Sequence, residues 1–197
     1  MTASRADARA SGVVALLAEA ARRYDASPEL RVAARRAARS GFGGGAAWMA
    51  QAMAAIRGAA GASTPSAADR AAATRLGFTK YGAASAALLL VGGAATTAFL
   101  AGRPVLAAAL AAAAGAAFYL VEAQGAFAFP ALVDGATDPW RRSRELVCAA
   151  GGTGPVAART VVIAAAMLGG GFLGRGFLRS WCVGALAVAL WYEALRR

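Results

Sequence analysis

The chain has 197 residues, 59% of them hydrophobic, a mean hydropathy of +0.51 and a formal charge of +11, carried by twenty Arg and one Lys against ten acids. It has no His and two Cys, Cys148 and Cys182, which excludes His-ligated haem and zinc sites, Ser–His and Cys–His catalytic pairs and any four-ligand cysteine site. Much of the apolar content is Ala, so continuous runs of bilayer length, rather than composition, must carry a membrane reading.

Residues 11–24 have the period of an amphipathic helix, with Val13, Leu16, Leu17, Ala20 and Tyr24 on one face. The run Gly12 to Ala18 is too short for a cleavable signal and is followed at once by Glu19, Arg22 and Arg23, so the first spanning helix is expected to direct insertion. Ser27-Pro28-Glu29 supplies an N-cap, a first-position Pro and a first-turn acid. The helix it opens, about 28–40, carries Arg31, Arg35 and Arg39 in one row with Arg36 beside it. Gly41-Phe42-Gly43-Gly44-Gly45 is expected to stop that helix. A third, about 46–60, sets Met49, Met53 and Ile56 on one face with Trp48 adjacent. A linker near 61–66 and a short basic helix with Arg70, Arg75 and Lys80 lead to the apolar half.

Residues 1–77 therefore read as a basic cytoplasmic helical region. Its apolar positions are mostly Ala, so it is expected to pack on a membrane, on a partner or on itself rather than fold alone. The Arg31, Arg35, Arg36 and Arg39 cluster is expected to touch anionic lipid headgroups or an acidic partner in preference to nucleic acid.

Residues 78–197 read as a four-helix membrane domain with spans at about 81–101, 105–129, 156–174 and 177–195. The first is uncharged and about 31 Å long at ~1.5 Å per residue, close to the hydrocarbon thickness. Gly102-Arg103-Pro104 turns the chain into the second, which Pro130 is expected to end. Asp138-Pro139 opens a helix at 140–150, mixed in Arg and apolar residues, that suits a membrane surface. The last two spans have short uncharged cores, 160–174 and 180–192, and rely on flanking charges that snorkel. Trp140, Trp181, Trp191, Tyr81 and Tyr192 are placed as interfacial anchors. The fold class is thus an all-α integral membrane protein with four transmembrane helices and an amphipathic helical N-terminal region.

Basic residues crowd the N-terminal region, the 122–158 loop and Arg196-Arg197, and the positive-inside rule puts both termini in the cytoplasm of a bacterial inner membrane. Glu122, Arg159 and Glu193 then fall at one depth, with Gln124 half a turn on. Arg159 is expected to pair with Glu122, with Glu193 as the competing acid. Gly151-Gly152-Thr153-Gly154 lacks the Lys-Ser/Thr ending of a phosphate-binding loop and reads as a helix break. Gly170 and Gly174, and the small residues Gly92, Thr96, Ala107, Ala111 and Gly115, could let helices approach closely.

No catalytic motif, cofactor or metal site is expected. The leading functional expectation is a non-enzymatic accessory, scaffold or assembly subunit whose partners are the lipid bilayer and a protein or a second copy. The alternative is a transport or channel component, or a lipid-modifying enzyme, using the Glu122/Arg159/Glu193 layer.

Overall fold

Each element in the computed structural model, which describes residues 12–59 and 66–197, is a helix: α1 Val13–Ala26, α2 Pro28–Ala37, α3 Gly41–Arg57, α4 Ala67–Leu100, α5 Pro104–Gln124, α6 Ala128–Val133, α7 Pro139–Ala149, α8 Thr153–Gly170 and α9 Phe177–Arg196. A π-type turn at Gly171–Arg175 joins the last two, with Leu173 and Gly174 off helical geometry. The linker expected near 61–66 lies, but for Ser66, outside the described residues.

Local signals set several boundaries. Ser27 accepts from Leu30 N at 3.2 Å and Asp138 from Arg141 N at 2.9 Å, each with Pro at the first helical position. Ser66 and Asp69 close a capping box at the start of α4, so the basic segment and the first apolar run form one 34-residue helix.

Three boundaries differ from expectation, each because of tertiary packing. The glycine run does not stop a helix; it begins α3, and the break falls at Ala38–Ser40. Gly43 and Gly44 are buried where α3 crosses α2 and α4, and a Cβ on Gly44 would overlap the Ala37 carbonyl. Glycine here permits close approach of backbones. The second apolar segment breaks at Gln124 rather than continuing to 129, because the buried Ser143 hydroxyl donates to Gln124 O (2.7 Å) and accepts from Phe127 N (3.1 Å). Pro130 sits in the first turn of α6, where its missing N–H costs nothing.

Helices α4 and α5 pack antiparallel along their length. From there the apolar helices form a row: α5 meets α8, and α8 meets α9. Among the described residues α9 touches neither α4 nor α5, and α8 does not touch α4. α9 is covered instead by α1, α2 and α3. Asp25 at the end of α1 pairs with Arg179 at the start of α9, Tyr24 and Ala20 pack with Cys182, Val183 and Leu186, and Arg57 at the end of α3 pairs with Glu193. Met49 and Met53 of α3 share a second cluster with Phe127, Val147, Trp191 and Tyr192.

Trp191 and Tyr192, expected as interfacial anchors, are core residues at 1% and 2% exposure. Burying each such side chain contributes about 1.5–3 kcal/mol. Trp181 is exposed, and Trp140 lies over Gly125, where an added Cβ would fall 2.8 Å from its ring.

Among the described residues, three helices are long and apolar enough to cross a membrane: Ala67–Leu100, the α5–α6 segment Pro104–Val133, and Thr153–Arg175. Only 11–17% of their most apolar windows is buried, so their large side chains, among them Leu89, Leu90, Phe99, Leu100 and Val105, face outward. α9 is not one of the three. Its cover carries charge on the far side: Glu19 pairs with Arg22 and Arg23, and Arg31, Arg35, Arg36 and Arg39 are exposed on and just after α2. A charge at the bilayer centre costs about 2.5–3.5 kcal/mol on insertion scales. The outer α1–α2 face is charged and exposed.

Candidate functional site

The polar side chains gather where α3, α6 and α7 meet the ends of α4, α5, α8 and α9. At the neck of the α4–α5 hairpin, Lys80 Nζ lies 2.7 Å from Glu122 Oε1, with both residues buried. The ammonium sits 5.1 Å from the Tyr81 ring centre and 5.8 Å from that of Phe129. Phe42 at the start of α3 stacks on Tyr81 and Phe129, made possible by Gly77, whose Cβ would overlap the Phe42 ring. Glu122 Oε2 is buried without a hydrogen-bond partner.

The second cluster joins the ends of α3 and α9 to Asp134 just after α6. Arg57 Nε donates to Glu193 Oε1 (2.8 Å), and its Nη2 donates to Glu193 Oε1 and Asp134 Oδ1 (both 2.6 Å). Asp134 Oδ2 also accepts from Tyr192 Oη (2.9 Å) and Arg196 Nη1 (2.5 Å). Partial burial pushes the Asp134 carboxyl up, but hydrogen bonds from Arg57, Tyr192 and Arg196 outweigh it and hold the group below its ordinary value. Burial likewise opposes the charge on Arg57, while Glu193 and Asp134 raise its pKa overall.

Of the four residues expected to form one polar layer, Glu122 pairs with Lys80. Glu193 takes Arg57, with Arg196 at 3.1 Å. Gln124 Nε2 donates to Thr153 Oγ1 (2.6 Å), joining α5 to α8. The Arg159 guanidinium stacks 5.0 Å from the Trp191 ring centre.

The sequence reading missed Lys80 and Arg57 as partners. The one signal for Lys80 was its being the sole lysine in an arginine-rich chain. Nothing local marks Arg57, whose partner is 136 residues away. Arg31, Arg35, Arg36 and Arg39 are brought together on one exposed surface.

Among the described residues, no group of three or more His, Cys, Asp or Glu is placed to hold a metal. A cleft of about 240 Å³ opens between α1, α2, α3 and α9, lined by Ala26, Leu30, Ala52, Ile56 and Leu186 with Arg23 and Ser27 at its polar positions. The arrangement as a whole is one of internally paired charges that fasten helices to one another. Comparison with protein-family models, with curated proteins and with solved structures finds no match.

Proposed function

We propose that this chain is a membrane-anchored protein acting without catalysis, as an accessory, scaffold or assembly subunit of a complex in a bacterial inner membrane. The observation that carries this reading is the α4–α5 hairpin, whose apolar side chains face outward along most of its length. The polar groups below it are engaged with each other, which suits a holding role. The concentration of Arg in 12–59 and 139–159 supports a cytoplasmic body. The Arg57 ion pairs support an even number of crossings, because this residue before the hairpin meets Asp134 just after it and Glu193 at the end of α9. Two crossings through α4 and α5 meet that condition, as do the four expected from sequence.

The partners of this reading are the bilayer and either another protein or a second copy. A transport, channel or lipid-modifying role has one feature in its favour, the buried and unpartnered Oε2 of Glu122. Purification in mild detergent separates these readings. The scaffold role predicts carbonate-resistant membrane association, a defined stoichiometric assembly and no ion flux or lipid turnover after reconstitution. Flux or turnover abolished by Glu122→Ala would replace it.

A further inference from the structure

We infer that the α4–α5 hairpin alone crosses the bilayer, and that α8 and α9 stay with α1–α3 on the side that holds Arg57 and Glu193. The inference rests on the membrane reading and specifies which surfaces meet lipid and which meet water.

Four observations carry it. First, α9 has a partner along its length that cannot enter lipid. α1 and α2 cover it from Arg179 to beyond Leu186, and their outer face presents Glu19, Arg22, Arg23, Arg31, Arg35 and Arg36. Placing α9 across the bilayer would carry those charges to the depth of its middle turns. Second, α9 holds Arg179, Glu193 and Arg196 and is not among the helices apolar enough to cross. Third, parity then constrains α8. Tyr192 and Arg196 at the end of α9 meet Asp134 just past the hairpin, and Thr153 at the start of α8 meets Gln124 at the hairpin's exit, so α8 cannot cross unless α9 crosses back. Fourth, the apolar helices form a row, in which α9 makes no contact with the hairpin and α8 meets it only through α5.

The hairpin itself is self-sufficient. Above the Lys80–Glu122 neck, residues 81–101 and 104–121 carry no charge, and Arg103 lies at the turn that joins them. At ~1.5 Å per residue each arm reaches about the thickness of the hydrocarbon core. The outer stripe of α8 and the turn after it, with Phe172, Leu173, Phe177 and Trp181 exposed beside Arg175, have the mixture of an element lying in the headgroup layer of the near leaflet.

Side-specific thiol labelling tests this in sealed right-side-out and inverted membrane vesicles holding the full chain. Cys148 is exposed on α7, while Cys182 is buried, so the unaltered protein reports the side of the body. In a Cys148→Ser background, Arg103→Cys and Arg175→Cys report the two turns. The expected result is labelling of the Arg103→Cys thiol from the face opposite Cys148, and of the Arg175→Cys thiol from the same face as Cys148. Labelling of Arg175→Cys from the Arg103 face would overturn the inference and show that α8 and α9 cross. Labelling of Arg175→Cys only after detergent would also overturn it, by placing the turn inside the bilayer. Labelling of Arg103→Cys from the Cys148 face would instead remove the hairpin's crossing and the membrane reading beneath it.

Discussion

Lys80 is the only lysine beside twenty arginines, and it is the basic side chain that the described structure buries at 5% exposure. A compact ammonium fits between Tyr81 and Phe129 where a planar five-donor guanidinium would crowd. Breaking a buried pair leaves a desolvated charge and costs about 3–5 kcal/mol, whereas replacing both partners with apolar groups is close to neutral. Lys80→Met and Glu122→Leu are therefore each expected to lower unfolding stability in detergent by about that amount, and the double variant by less than either. Additive losses would show that the two side chains do not act as a pair. Lys80→Arg is expected to cost about 1–3 kcal/mol through overpacking.

Asp134 gives the clasp a pH dependence of definite sign. Its folded-state pKa is depressed, so as pH falls the unfolded chain takes up this proton before the folded one does. Its contribution is fully present above about pH 4, the ordinary carboxylate range, and is lost as pH drops through the lower folded value. Denaturant midpoints measured from pH 7 to pH 3 should fall at the acid end, and Asp134→Asn should flatten that limb. By contrast, the Asp25–Arg179 pair is half in solvent, and Asp25→Ala should cost no more than about 1 kcal/mol.

At the scale of the element, glycines separate helices that must touch another helix from those that face open space. Gly44 meets the Ala37 backbone, which cannot move aside, so Gly44→Ala should destabilise by about 1–3 kcal/mol. Gly92 and Gly115 on the hairpin meet nothing within 4 Å, so Gly92→Ala should be neutral or stabilising by about 0.5–1 kcal/mol. Thermal unfolding in one detergent compares the two directly. Helix starts were legible in sequence wherever the cause was local: Ser27 and Asp138 cap the helices they precede, and the apolar periods of α1 and α3 are those observed. What escaped depended on neighbours distant in the chain. The break at Gln124 is made by Ser143, the glycines of α3 answer to α2 and α4, and Trp191 is packed against Phe127 and Arg159, each outside α9. The Lys80 and Arg57 pairings were not legible, because both residues come from elements read as peripheral.

For the whole molecule, α1–α3 cover α9, and α1 has α9 as its main partner. Residues 1–62 expressed alone should then show little cooperative unfolding in water and gain helix on anionic vesicles, where lipid takes the place of α9. Circular dichroism during heating, with and without vesicles at low salt, decides the matter. A sharp transition without lipid would mean that these helices need neither. An α1–α3 coat that folds only on α9 also accounts for mean hydropathy being a poor guide to depth here, since the apolar face of α9 answers to protein as well as to lipid.

The clasp between Arg57 and Glu193 has a consequence for how the protein is made. The two residues are separated by 136 positions, and Asp25 and Arg179 by 154. A ribosome adding about 5–20 residues per second delivers Glu193 roughly 7–27 s after Arg57. During that interval the earliest helices have left the exit tunnel while the helix they are meant to enclose does not yet exist. Their sticky side, with Tyr24, Leu30, Trp48 and Met53, waits throughout that interval, so nascent-chain binding factors or the membrane surface must shelter it until α9 arrives.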